Sequence, residues 1–155
     1  MTPVAIGAVA PDFALRDQHG ATFRLSEELG VRSVAVVFFP YAFSGVCTEE
    51  LSTLQRRLED VVSATAAVVA VSCDPVHSLR AFADRDGLTF ALLSDFWPHG
   101  AVARAYGVLD ETRGCPRRST FVIGPEGSVR WSVHNEPGRP RDLDDLVAAM
   151  VDRGS

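Results

Sequence analysis

Apolar residues form two uninterrupted runs along the chain, VAVVFF at 34–39, ended by Pro40, and AAVVAV at 66–71. A run of that length without polar alternation predicts a strand covered on both faces. Residues 120–123 (TFVI) predict a third strand, and 129–133 (VRWSV) alternate as a half-buried one does. Pro125-Glu126-Gly127 between these two reads as a hairpin turn. Near the N-terminus, 12–15 and 22–25 flank the turn-rich Asp17-Gln18-His19-Gly20, which predicts a β-hairpin, and 26–30 predict a short helical turn closed by Gly30.

Helical spacing fills the intervals. Between 44 and 62, Cys47, Leu51, Leu54, Leu58 and Val62 recur every three or four residues and predict one apolar stripe. Residues 75–86 predict a second helix with Pro75 in its first turn, 98–106 a short third, and 142–151 a closing one. The order is hairpin, strand, helix, strand, helix, strand, helix, hairpin, helix. That order implies an α/β fold, thioredoxin-like, with a mixed central sheet flanked by helices and an N-terminal β-hairpin. No repeat, low-complexity tract or linker divides it, so residues 1–155 are expected to form one domain.

Composition narrows the function classes. Hydrophobic residues make up 46% and charged residues 23%, as in a globular protein with its own core. The net charge of −5 argues against a general partner in nucleic acid or an acidic membrane surface. All 15 cationic residues are Arg, a bias in keeping with a GC-rich coding sequence. The N-terminus has no basic residue before Arg16, so no signal peptide is expected, and no apolar run approaches membrane-spanning length. A soluble cytoplasmic protein is the expectation.

There are three cysteines, Cys47, Cys73 and Cys115, with no CxxC pair. An odd count argues against a disulfide framework, and the spacing offers neither a zinc knuckle nor a redox dithiol. His19, His77, His99 and His134 are scattered without metal-ligand spacing, Thr53 excludes a Cys-x5-Arg phosphatase loop, and Gly124 and Gly127 belong to a turn. No metal and no cofactor are expected.

Cys47 is the candidate nucleophile. A buried strand ends at Pro40, a loop follows, and Ser44 is a good N-cap that sets Cys47 at the third helical position. Helix N-termini carry unpaired N–H groups and partial positive charge, and both favour a thiolate over a thiol. Spacing alone leaves a second reading open, in which Cys47 is a small buried hydrophobe on the apolar stripe. Glu49 and Glu50 nearby oppose a thiolate but also suit a helix start.

The segment FFPYAFSGVCTEEL (38–51), with Pro40, Ser44 and Cys47 in a Pro-x-x-x-Ser-x-x-Cys pattern, resembles the active-site signature of the peroxiredoxins. SDFWPHGAV (94–102) followed by AYGV (105–108) resembles the AhpE subgroup of actinobacteria, whose members reduce alkyl hydroperoxides and peroxynitrite. The opening GAVAPDF (7–13) is typical of the family, and Arg118 matches its active-site Arg. The likeness runs from about Val4 into the C-terminal helix.

The resemblance implies a thiol peroxidase in which Cys47 attacks a hydroperoxide. Ser44, the Cys47 N–H and Arg118 would donate to the stretching O–O bond, and Pro40 would shape the loop and shield the sulfur. Glu50 resembles an acidic residue that orients the Arg in several members, while on spacing it also reads as a solvent-facing helix charge. Phe43, Phe96 and Trp97 either line the peroxide mouth, bury a dimer interface or pack in the core. The product is a Cys47 sulfenic acid. Either an external thiol or redoxin reduces it, with mycothiol, mycoredoxin or thioredoxin as candidate partners, or Cys115 or Cys73 resolves it within the chain. The bland readings are an incidental loop thiol for Cys115 and a packing residue for Cys73. The family commonly forms homodimers. A thioredoxin-like thiol–disulfide exchange protein and a non-catalytic redox-binding module are the alternatives; the missing CxxC weighs against the first, and the joint presence of Pro40, Ser44, Cys47 and Arg118 against the second.

Overall fold

The computed structural model describes residues 2–136 and 141–151. Its centre is a seven-stranded mixed sheet in the order β2-β1-β5-β4-β3-β8-β9. The strands are β1 (Ala14–Arg16), β2 (Thr22–Arg24), β3 (Ser33–Phe38), β4 (Ala66–Ser72), β5 (Ala91–Ser94), β8 (Arg118–Ile123) and β9 (Val129–Asn135). A separate two-stranded ribbon pairs β6 (Leu109–Asp110) with β7 (Cys115–Pro116). The helices are α1 (Leu25–Glu28), α2 (Gly45–Arg56), α3 (Leu58–Val61), α4 (Val76–Asp86), α5 (Ala101–Ala105) and α6 (Leu143–Val151).

The unbroken apolar run at 34–39 has its explanation in β3, which lies near the middle of the sheet. Ala35, Val37 and Phe39 enter one core cluster with Leu51, Leu54, Leu79 and Phe82 from α2 and α4. Val34, Val36 and Phe38 enter the other with Leu25, Ala103, Tyr106 and Phe121. Alternate side chains point to opposite faces, so a strand sandwiched between two apolar layers must be apolar throughout. Leu51 and Leu54 are 1% exposed, and burial of each contributes about 1.5–3 kcal/mol to docking α2 on the sheet.

Register sets the site. β3 runs parallel to β4 and antiparallel to β8, with Phe38 opposite Val71 on one side and Ser119 on the other. The end of β3 therefore meets the start of β8. The loop leading to α2 and the first residue of β8 are brought to the same edge.

Three expectations are corrected. The stripe at 44–62 is not one helix: Arg57, at φ −105 and ψ 18, separates α2 from α3. Arg57 ion-pairs with Asp60 and with Asp144 of α6, and the interruption changes the phase so that Val61 is buried while Val62 is 39% exposed. Pro75 is the N-cap of α4 rather than part of its first turn. The third helix is shorter than expected, because Gly100 caps α5 in a left-handed conformation at φ +69. The strand required between α4 and α5 is β5, whose four residues form too short a run to stand out in the sequence. No helix among the described residues is long and apolar enough to cross a membrane.

Candidate active site

Helix α2 begins as the Ser44 signal predicts. Ser44 occupies the N-cap with extended φ and ψ, and Cys47 is the third helical residue. The first ladder bond is Thr48 N–H to Ser44 C=O at 2.9 Å, which leaves the amides of Gly45, Val46 and Cys47 upstream of the ladder. The Ser44 hydroxyl does not cap the helix; it donates to the Tyr41 carbonyl at 3.1 Å. The preceding residue, Phe43, has φ +69, the only positive φ of a non-glycine residue among those described. For a ring-bearing side chain that conformation costs on the order of 1–3 kcal/mol.

The Cys47 side chain is fully buried. Its sulfur meets the Arg118 guanidinium, whose Nη2 lies 3.2 Å from Sγ. Arg118 Nη1 is held by Glu50 Oε1. The solvent-facing reading of Glu50 fails, since the residue is 5% exposed and points inward. Glu50 also accepts from Arg141, through the backbone N–H at 2.7 Å and Nη1 at 3.1 Å, and Arg141 Nη2 donates to the Phe38 carbonyl. Burial pulls the Arg141 guanidinium down from its ordinary value, and the Glu50 carboxylate pulls it back. Arg141 was not foreseen. It lies 91 residues beyond Glu50, and no local pattern marks an arginine there as buried.

A cavity of about 620 Å³ opens over this cluster, lined in part by Pro40, Ser44, Arg118, Cys115 and His134. Cys47 does not line it but touches Arg118, which does. The β6–β7 ribbon brings Cys115 into the lining, through a turn in which Asp110 Oδ1 accepts from the Thr112 and Arg113 amides at 3.1 Å each. Tyr41 closes one side, with its hydroxyl donating to the Arg113 carbonyl at 3.3 Å. The Cys115 thiol beside that hydroxyl pushes Tyr41 up to about 12, and burial pushes Cys115 up as well. Cys73 is buried near Asp95 and does not line the cavity; burial, then the Asp95 charge, push it up to about 12.

The aromatic residues divide. Phe43, Phe96 and Trp97 are 44%, 48% and 80% exposed, so the core reading is corrected for all three, and none lines the cavity. Phe96 and Trp97 border a separate depression with Leu15, Pro75 and Val76. His134 accepts or donates at Ser119 Oγ, 2.8 Å away, and His99 meets the Gly114 carbonyl at 2.6 Å. Among the described residues no three His, Cys, Asp or Glu side chains are grouped to hold a metal ion.

Comparison with known proteins places this geometry in context. The AhpC/TSA family model matches residues 6–132. Alkyl hydroperoxide reductase E of Mycobacterium tuberculosis is 44% identical over 149 residues, 94% of this chain and 97% of the relative. The chloroplastic peroxiredoxin Q of Triticum aestivum is 34% identical over 134 residues, 86% of this chain and 60% of the relative. The crystal structure of peroxidoxin BcpB from Mycobacterium tuberculosis superposes with a TM-score of 0.86 at 31% identity, over 97% of this chain and 98% of that one. Enterococcus faecalis AhpC gives 0.85 at 29% identity, over 94% and 90%. The chain shares the thioredoxin-like fold of these structures.

Proposed function

Because the chain belongs to the AhpC/TSA family of peroxiredoxins, we propose that it is a thiol-dependent peroxidase that reduces alkyl hydroperoxides and hydrogen peroxide, with peroxynitrite as a further substrate, through Cys47. The observation that carries the assignment of the nucleophile is the 3.2 Å contact between Arg118 Nη2 and Cys47 Sγ.

The Cys47 thiolate attacks the terminal peroxide oxygen in line with the O–O bond. An S–O bond forms, the O–O bond breaks, and the departing alkoxide takes a proton to leave as alcohol or water. Negative charge moves from sulfur to the leaving oxygen. A guanidinium already fixed by Glu50 stabilises both ends of that path without reorienting. The unladdered amides at the start of α2 add donors on the same side. Ser44, beside the cavity, can turn its hydroxyl from the Tyr41 carbonyl to the peroxide. Pro40 lines the cavity and offers no N–H there.

The sulfenic acid is reduced by an external thiol or small redoxin. The thiol forms a mixed disulfide with Cys47 and releases water, and a second thiol frees Cys47. Mycothiol with mycoredoxin, or thioredoxin, suits the likeness to the mycobacterial relative. The burial of Cys73 and Cys115, which favours their unreactive thiol forms, supports this route over internal resolution. The same reading makes the protein a cytoplasmic homodimer of single-domain chains, supported by the exposed Phe96 and Trp97.

The direct test is Cys47→Ser under single-turnover conditions. Peroxide consumption is expected to stop; persistence at the wild-type rate moves the nucleophile to another cysteine.

A further inference from the structure

The turn that carries Cys47 is gripped by Arg85 of α4, a residue that the sequence pattern does not single out. Phe43 holds a backbone conformation that its side chain disfavours, and its ring is 44% exposed, so core burial alone does not keep it there. Two contacts hold the ring. Phe82 packs against it with centroids 5.2 Å apart, and the Arg85 guanidinium carbon lies 4.8 Å from its centroid. The guanidinium is itself locked in plane by Asp86, with Nε to Oδ1 at 2.8 Å and Nη2 to Oδ2 at 3.1 Å. Arg85 Nη2 also donates to Thr48 Oγ1 at 3.1 Å. One cation at the end of α4 therefore touches the residue just before the N-cap of α2 and the residue just after Cys47. On the far side of Phe43, Asp74 Oδ2 accepts from the Ala42 amide at 2.8 Å and fixes the loop to the end of β4.

We propose that Arg85 is a positioning residue for the peroxidatic cysteine. It keeps Phe43 in the left-handed region and so sets the direction in which the chain enters α2. The inference rests on Cys47 being the nucleophile. If Phe43 relaxed to negative φ, the peptide leading into Ser44 would swing, and the first turn of α2 would move Cys47 relative to Arg118. Displacements of an ångström at a reacting atom are costly, because the geometry of attack is lost. Arg85 acts through the backbone: its contacts are to the rings of Phe43 and Phe82, to Asp86 and to Thr48.

The test is a double-mutant cycle of Arg85→Met and Phe43→Gly, with Arg85→Lys as the conservative variant. Two quantities are read: amide hydrogen exchange over residues 42–48, and the single-turnover rate constant of Cys47 oxidation by hydrogen peroxide. Losing the cation from the ring is expected to raise exchange and slow oxidation by about two- to fivefold, the scale of an exposed cation–π contact. Arg85→Lys should recover most of both. In the Phe43→Gly background, where the left-handed conformation is unstrained and the ring is gone, Arg85→Met should lose only what runs through Thr48 and Phe82, and so change both quantities clearly less than in the wild-type background. Equal effects of Arg85→Met in both backgrounds, equal losses with Met and Lys, or unchanged exchange would overturn the proposal. Exchange is measured without peroxide. If the exchange cycle behaves as stated while peroxide oxidises a sulfur other than Cys47, the peroxidase assignment fails and the grip on the turn stands.

Discussion

Arg141 donates twice to Glu50, from its backbone N–H and from Nη1, and each side chain of the pair is 3% exposed. Arg118 shares the same carboxylate. One buried carboxylate thus serves two buried guanidiniums, and the cluster carries a net charge of +1 where it faces Cys47 Sγ. A thiolate makes the group neutral. The charges are taken out of water in a set that balances only when the sulfur is anionic, and that is the state a nucleophile needs.

Removing the carboxylate should therefore weaken both fold and site. Glu50→Gln leaves two guanidiniums facing each other with no anion between them. Breaking a buried pair in this way costs about 3–5 kcal/mol, so a fall of that order is expected in urea denaturation. Cys47 oxidation should also slow, because Arg118 loses the anchor on its Nη1. An oxidation rate at or above wild type would remove Glu50 as the group that orients Arg118.

Ser44→Ala separates capping from chemistry. The hydroxyl makes no cap bond to the helix, so the stability loss should fall below the roughly 1 kcal/mol typical of losing an N-cap side chain. Oxidation by peroxide should slow by about 10²-fold, the lower end of what loss of one oxyanion donor costs. A variant with the opposite profile, unstable but fully active, contradicts the role given to the hydroxyl.

One equivalent of peroxide should leave a Cys47 sulfenic acid that dimedone traps, with the same yield in Cys115→Ser and Cys73→Ser. Mass spectrometry of the Cys47 peptide decides this. A Cys47–Cys115 disulfide would put Cys115, in the wall of the cavity, in the resolving role and replace the external thiol in the first reductive step.

The high Cys73 value has a consequence for alkaline stability. An unfolded cysteine ionises near pH ~8.5, whereas buried Cys73 holds its proton to about 12. Above the unfolded value the unfolded chain binds fewer protons than the native one, so stability falls as pH rises. The contribution is complete below about pH 8.5 and is lost across the window up to about 12, at roughly 1.4 kcal/mol per pH unit. Urea titrations between pH 8 and pH 10 should show a shallower decline for Cys73→Ala than for wild type; identical slopes would mean that Cys73 ionises freely in the native state.

Local signals carried far where physics is local. The apolar runs at 34–39 and 66–71 mark β3 and β4 because a strand inside two layers has no polar face to show. Ser44 marks the start of α2 because a short polar residue suits the extended N-cap, and that placed Cys47 on its first turn. Pro40, Ser44, Cys47 and Arg118 are grouped by their resemblance to a family signature, and the structure brings Pro40, Ser44 and Arg118 to one cavity with Cys47 against Arg118.

The sequence by itself determined the order of the main strands and helices, without the β6–β7 ribbon or the break between α2 and α3, together with the apolar sheet and the cysteine at a helix start, all set by propensity and periodicity over a few residues. The tertiary structure alone decided that Glu50 turns inward, that Arg141 joins it from 91 residues away, that the stripe breaks at Arg57, and that Arg85 rests on the Phe43 ring. Each of these depends on which charges and rings meet when the sheet register and helix packing bring distant segments together, and an arginine bound for the interior has the same local sequence signature as one bound for solvent.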